Sequence, residues 1–506
     1  MPSTLFVNRE QDIATLDGLL NIIDRPSIDR PTDGNYLDKC VVNVYGAPGI
    51  GKSALLHKLR HNWQAETRSI FFIDLHEKGF QAETTQQKVR FCQQILTQFP
   101  DADEPRVTAL QQQLIQIDTQ HDERLDTLGE ELVALMKQRK EQRIILLLID
   151  ACEQASDAFF AWLERRIILP IIHDPQKQQT RALCLMSSQL LLRWRQHNVR
   201  RRVTVLSLAP LSAEATTKLI DYTLNGQPAD GSDAPFNPEP AISALGQQLY
   251  SLTFGHPLAT HAALEHLDLQ KQPEELNQWI EQHRLGVSRE IVQRLRKHAT
   301  RSLPAFQAQP RSAPQTAAWE GWQILEALSI LREFEVNSMR VVLSAYNDTY
   351  RDTSQSMLLI YIRELLETRF AIWNSELRAY QVAASIRRII AHHLAIHNEQ
   401  LYVNLRTQAK LYYQQQIKTV MNNRHVYLLE YFFQSLSQPE TVAISLEDVQ
   451  QDLAYFLQRY YALRDDTLQQ LLRAFAADHE LSEIVAQRRW DPALFTKAVQ
   501  EFQDAA

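Results

Sequence analysis

An α/β domain on a parallel sheet, followed by an all-helical half, is the fold class this sequence predicts. Three observations carry the prediction. Short apolar runs alternate with helical patterns over roughly the first 225 residues, as in a sheet covered by helices. A glycine-rich run, Gly46-Ala47-Pro48-Gly49-Ile50-Gly51-Lys52-Ser53, separates one such strand from the helix that follows it. Beyond residue 226 no strand-like run is evident until about residue 370.

The first strand, Val41–Tyr45, feeds the glycine-rich run, and a helical pattern (Ala54, Leu55, Leu56, Leu59) leaves it. That is G-x-x-x-x-G-K-[ST] in the strand–loop–helix setting its chemistry requires. Glycines let successive backbone N–H groups from Gly46 to Ala54 turn toward phosphate oxygens, and the helix adds its positive end. Lys52 is placed to reach the β and γ phosphates, and the Ser53 hydroxyl to hold Mg²⁺. A nucleoside triphosphate or diphosphate is the expected ligand.

The remaining strands are read at residues 70–75, 144–150, 183–187 and 203–208. Between the second and third lies a Gln-rich helical stretch, residues 84–142, with apolar positions at helical spacing (Phe91, Ile95, Leu96; Leu110, Leu114; Leu132, Leu135, Met136). The run Ile144-Ile145-Leu146-Leu147-Leu148-Ile149-Asp150 ends in one carboxylate, as the acidic partner of Mg²⁺ should. With residues 183–187 inserted between this strand and the phosphate strand, the expected sheet order is 5-1-4-3-2. Hydrolysis also needs a base or a group that positions water. Glu153, three residues past Asp150, is the first candidate, and Asp74 is the alternative.

Composition bounds the rest. The chain has 506 residues, 44% hydrophobic and 22% charged, with a net charge of −7. That balance gives no support for bulk binding to nucleic acid or to acidic membranes. The one basic knot, residues 193–202, reads as a solvated loop before a strand. Cys40, Cys92, Cys152 and Cys184 show no paired spacing, no secretory signal pattern is evident, and no apolar stretch has membrane-span length. A cytoplasmic protein without a membrane partner is expected.

Residues 226–240 hold four prolines and two glycines, and residues 303–314 form a second proline-punctuated linker. The expected domains are therefore 1–225 (nucleotide binding), 226–315 (helical), 316–400 and 401–506 (helical, repeat-like or an adaptor bundle). Within 316–400, helices at 319–332, 338–346 and 354–367 precede a hairpin-like pair, 370–373 and 377–382, which is the layout of a winged helix. Tyr412, Tyr413, Tyr427, Tyr431, Phe432, Phe433, Phe456, Tyr460 and Tyr461 read as helix–helix core. His392, His393 and His397 lack a third ligand and read as an exposed or partly packed helix face.

Phe6-Val7-Asn8-Arg9-Glu10 resembles the F-x-G-R-E signature of STAND ATPases, the signal-transducing class that includes NB-ARC and NACHT proteins. Gly255-His256-Pro257-Leu258-Ala259 resembles their G-x-P-L-A motif, and a winged helix after the helical subdomain is also their arrangement. The resemblance is to the bacterial type and spans residues 4–400. It implies a nucleotide clamped between subdomains, with backbone around Val7 and Asn8 meeting adenine, Arg9 near the nucleotide and Pro257 on base or ribose. It further implies a switch that ADP holds closed and ATP opens to oligomerise, in signalling such as defence or regulated cell death, with protein partners met through the helical domains. Asn8, Ala151, Gln189 and Ala383 stand where relatives usually carry glycine, an acid, an arginine and a histidine. Those departures point to slow hydrolysis or altered discrimination between ADP and ATP. The alternative is a DNA-binding transcriptional regulator that uses the winged helix and carries an ATPase domain. Its groove-reading helix would be the mostly apolar 354–367, which makes nucleic acid an unexpected partner.

Overall fold

The computed structural model describes residues 9–24, 39–76, 80, 84–99, 104–116, 122–138, 144–173, 181–189, 191–226, 236–301, 317–367, 370–374, 378–420, 423–439, 442, 444–461 and 465–505. They form two compact units, one of residues 1–251 and 255–277, the other of residues 252–254 and 278–506.

The first unit is built on five parallel strands: β1 (Val41–Tyr45), β2 (Arg68–Asp74), β3 (Ile144–Asp150), β4 (Ala182–Ser188) and β5 (Val203–Ser207). Their order is β2-β3-β4-β1-β5, which read from the β5 edge is 5-1-4-3-2. Every residue of β3 and β4 is buried. Strands covered on both faces read as continuous apolar runs, and these do. Edge strand β5 is only partly covered, with Val205 exposed. The register sets Asp74 beside Asp150 at the carboxyl ends of β2 and β3.

Helices α1 (Glu10–Asp24) and α2 (Lys52–Asn62) flank β1 in sequence. The Gln-rich helical stretch is made of three helices: α3 (Thr84–Leu96), α4 (Glu104–Ile115) and α5 (Asp122–Gln138). Pro105 stands in the first turn of α4, where its missing N–H costs nothing. Helix α6 (Asp157–Leu163) is capped by Ser156, whose Oγ accepts from the Phe159 N–H at 3.1 Å. It runs through a π-helical turn, Glu164–Ile168, into the short α7 (Leu169–Ile172). Pro170 lacks the donor that would continue a regular ladder there. Buried Glu164 accepts backbone N–H groups of Arg195 (3.0 Å) and Gln196 (2.7 Å), so the basic segment is tied to the domain at its backbone. The short α8 (His197–Arg200) follows, then α9 (Ala213–Asn225), α10 (Pro240–Thr253), α11 (Pro257–Glu265) and the start of α12 (Pro273–Arg301). The division between the units falls inside α12, which has a non-helical residue at His283.

In the second unit, α13 (Ala317–Leu328), α14 (Val336–Tyr346) and α15 (Gln355–Glu367) precede a two-stranded antiparallel ribbon, β6 (Ala371–Asn374) with β7 (Ala379–Val382). Helix α13 stops four residues short of the expected 332. Ser329 and Leu331 instead donate to carbonyls three residues back, and Phe334 then bridges to Tyr380 of the ribbon. The hairpin turn at 375–377 lies outside the described residues. Seven further helices follow: α16 (Ala384–His397), α17 (Glu399–Thr419), α18 (Arg424–Leu436), α19 (Leu446–Tyr460), α20 (Asp465–Ala477), α21 (His479–Gln487) and α22 (Leu494–Ala505). Tyr431, Phe432, Phe433, Phe456 and Tyr461 are buried among them as core. The histidine face is packed, with His393 buried, sharing a hydrogen bond with Ser288 Oγ at 3.0 Å and stacking on His397. Burial pushes both His392 and His393 down to about 4, so they pack as neutral rings. All four cysteines are free and buried. Among the described residues no helix is long and apolar enough to cross a membrane.

Candidate nucleotide site

The glycine-rich loop leaves β1 and ends in α2, whose N-cap is Gly51 in the left-handed region at φ 100°. A side chain at Gly51 would meet open space, so conformation alone calls for glycine there. Gly49 is held twice, by φ 75° and by contact: a Cβ would lie 2.8 Å from Leu258 Cβ. Ile50 anchors the loop in the core with 1% exposure.

Lys52 is buried, and its Nζ donates to the loop's own carbonyls, Gly46 O at 2.8 Å and Ala47 O at 3.0 Å. Among the described residues it forms no ion pair. Burial lowers its pKa, against the opposing fields of Glu153 and then Asp150. A buried ammonium held only by backbone oxygens, beside a loop of N–H groups on a helix start, suits a polyanion. Ser53 is exposed in the first turn of α2, open to a ligand.

Asp150, 3% exposed, ends β3. Its Oδ1 accepts from the Ser187 hydroxyl at the end of β4 and from the Ala151 N–H at 3.0 Å. The Ala151 N–H is shared with Ser187 Oγ, also at 3.0 Å, and Ala151 takes φ 59°. One carboxylate edge is thus clamped by neighbours, and the other oxygen is left for a cation. The short turn Cys152–Gln154 carries Glu153 back toward the site, where its Oε2 accepts the Gln189 N–H at 3.2 Å. Gln189 is 7% exposed, and its Oε1 has no hydrogen-bond partner among the described residues. At the carboxyl ends of β2 and β3, one donor atom each from Asp74, His76 and Asp150 lie within 4.8 Å of one another, with Asp74 Oδ1 paired to His76 Nδ1 at 3.5 Å.

Two residues reach the loop from far away in sequence. Arg9, 6% exposed, donates through Nη2 to Ile50 O at 3.0 Å and to Ala209 O at 2.8 Å. Arg9 therefore braces the loop backbone against the chain leaving β5. His256, fully buried, bonds through Nε2 to Pro48 O at 2.9 Å while its Nδ1 accepts the Ala259 N–H as the N-cap of α11. An Nδ1 that accepts leaves the proton on Nε2, which then donates to the loop. Leu258 N–H adds a bond to Gly49 O at 3.3 Å. Pro257 stands at the first turn of α11, partly exposed. Val7 and Asn8 lie outside the described residues. His256 and Ser187 were not singled out as site residues from the sequence. The only signals were a histidine one residue before a helix-starting proline and a serine ending an apolar strand.

The parallel five-stranded sheet with its helices and the glycine-rich loop are consistent with a P-loop NTPase domain. Residues 5–165 match the AAA ATPase domain family. Solved structures similar to the chain include Cdc6p from Pyrobaculum aerophilum, 14% identical over 78% of this chain and 97% of that one, with a TM-score of 0.34. A signal transduction ATPase with numerous domains (STAND) from Pyrococcus horikoshii, carrying a tetratricopeptide repeat sensor, is 14% identical over 99% of this chain and 58% of that one, TM-score 0.30. RuvB from Thermotoga maritima is 14% identical over 74% and 92%, TM-score 0.32. Likenesses at this level carry no argument about activity. No curated protein matches the chain.

Proposed function

We propose that this chain is a switch set by ATP and ADP, which binds the nucleotide with Mg²⁺ in its first unit and turns it over slowly. The bound state governs assembly with itself or with a protein partner through the helical part. The observation that carries this reading is the buried Lys52 ammonium on the loop carbonyls, close to an Asp150 clamped along one edge. Lys52 would exchange two carbonyls for phosphate oxygens with little further desolvation. Ser53 and the unclamped oxygen of Asp150 would hold Mg²⁺, which neutralises phosphate charge when bound. Val7, Asn8 and Pro257 would meet the base and ribose, as the resemblance to STAND ATPases implies.

Slow turnover follows from what surrounds the reacting end. Ala151 brings no acid, Gln189 brings no charge, and Glu153 is the carboxylate left to orient water while tied to the Gln189 N–H. The switch reading draws support from the bonds of Pro48 and Gly49 carbonyls to the start of α11, which make loop geometry sensitive to that helix. Three helices and a ribbon in the order of α13, α14, α15, β6 and β7 suit a winged helix. Helix α15 exposes Met357, Leu359 and Ile360, side chains that favour protein contact over phosphate or base readout.

Native mass spectrometry of the full chain with ADP, with ATP and without addition tests this directly. Wild type should carry nucleotide and change oligomeric state with ATP, and Lys52→Ala should lose both. Unchanged nucleotide content in Lys52→Ala would overturn the site, and nucleotide binding with no change of assembly would overturn the switch.

A further inference from the structure

The second unit holds a cavity of about 420 Å³ between the segment 333–338, the ribbon residues Arg378 and Ala379, and the helices α17 and α18. Three carboxylates line it, Glu333, Glu335 and Glu430, with the rings of Tyr412, Tyr413 and Tyr427. Some of the aromatics that read as plain core from the sequence therefore form a wall: Tyr413 is buried, but Tyr412 and Tyr427 are only partly covered.

The charge of this cavity is not balanced from within. Glu430 is 4% exposed, and its Oε2 has no hydrogen-bond partner among the described residues. Its Oε1 takes Arg332 Nε at 2.7 Å, but Arg332 also serves Asp478 at 2.6 Å, and Arg387, the other cation acting on Glu430, is paired with Glu480. Of the cationic types on the walls, His425 is held toward its neutral form by burial, and Arg378 sits exposed at the rim. Burial and the charge of Glu430 push Glu333 up to about 7, against a Gln381 hydrogen bond and Arg332, with Asp478 adding to the upward push. Carboxylates that crowd together around a buried one, Glu430, and face π-rings make a site for a cation.

The geometry also selects the kind of cation. Each carboxylate already shares an oxygen with a neighbour: Glu430 with Arg332, Glu333 Oε1 with Gln381 Nε2 at 3.3 Å, and Glu335 Oε1 with the Tyr412 hydroxyl at 2.5 Å. What remains is single oxygens, from the segment 333–338 and from α18, rather than two-oxygen forks, with Glu335 also capping the Ser338 N–H. A planar guanidinium prefers forks, whereas an ammonium is a compact charge with three donors that can be shared among separate acceptors. The volume is that of a small-molecule site. We propose that this cavity binds an alkylammonium group, its charge among Glu333, Glu335 and Glu430 and its methylenes along the tyrosine rings. A free polyamine and a lysine side chain present the same chemistry.

Isothermal titration of the full chain with spermidine, putrescine, Nα-acetyl-lysinamide and neutral butanediol tests the assignment. Spermidine or putrescine binding with Nα-acetyl-lysinamide silent identifies a polyamine site, and the reverse identifies a lysine site. Near pH 7 a bound cation ionises Glu333, so binding should release protons, seen as a dependence of the heat on the buffer's ionisation enthalpy. Glu333→Gln removes a partly exposed carboxylate and should weaken binding about tenfold while abolishing that proton release. Glu430→Gln should weaken it too, and unchanged circular dichroism would show that both variants fold. No heat from any ammonium at millimolar concentration, butanediol binding as well as putrescine, or wild-type affinity in Glu333→Gln would each overturn the proposal.

Discussion

Replacing Arg9 by alanine tests whether this residue braces the glycine-rich loop. Its guanidinium makes two hydrogen bonds from one nitrogen to backbone carbonyls, Ile50 O and Ala209 O, with 6% of the side chain exposed. Burial lowers the Arg9 pKa, and Asp12 at 3.5 Å opposes this, but a guanidinium stays charged throughout. Hydrogen bonds from a charged donor are worth about 1.5–3 kcal/mol each, and removing the donor strands both acceptors. Water entering the vacated space returns part of this, so about 3 kcal/mol is the expected loss. For a folded unit of this size the shift in melting temperature is roughly 2–4 °C per kcal/mol, hence about 6–12 °C. Arg9→Lys keeps the charge, but its ammonium sits one bond short of the Nη2 position that donates to both carbonyls, and should recover no more than about half. Thermal unfolding of the full chain by circular dichroism reads the transition of the first unit, marked as the one that bound nucleotide shifts upward. An Arg9→Ala transition within about a degree of wild type would refute the bracing role.

Two further predictions rest on packing. Gly255 has φ 67°, and a Cβ there would fall 1.9 Å from the Leu211 carbonyl oxygen, so Gly255→Ala should cost about 3 kcal/mol or more and appear as lost soluble yield. Gly286, whose Cβ would meet nothing within 4 Å in the middle of α12, provides the control: Gly286→Ala should be neutral or stabilise by up to about 1 kcal/mol. Phe433 lies under three guanidinium groups, Arg332 at 4.3 Å, Arg406 at 5.1 Å and Arg387 at 5.5 Å from its ring centre. Phe433→Leu keeps an apolar side chain but removes the π-face, and should lower stability by about 2 kcal/mol in chemical denaturation. A loss under about 0.5 kcal/mol would show that the hydrogen-bond partners alone hold the arginines in place, Glu430 and Asp478 on Arg332, Glu480 on Arg387, and Gln434 with the Ile330 carbonyl on Arg406.

The sequence by itself determined the parts whose physics is local. Glycines at 49 and 51, a lysine and serine after them, and an apolar strand before them specify a phosphate-binding loop, because the loop's conformation and its N–H groups come from adjacent residues. The run 144–150 announced a buried strand ending in a carboxylate for the same reason. Alternation of strands and helices supplied a parallel sheet, since a crossover between parallel strands needs a helix of its own. Only the tertiary structure decided which distant groups complete the site. Arg9 meets Ala209 across 200 residues, His256 meets Pro48 across 208, and Ser187 clamps Asp150 across 37. It also decided that the Gln-rich stretch is three helices, that His393 is buried, and that Glu333, Glu335 and Glu430 converge beside tyrosines. None of these leaves a periodic or spaced signal in the chain. A hydrogen bond between remote residues depends on where the backbone returns, and a carboxylate's protonation depends on what surrounds it after the chain has folded.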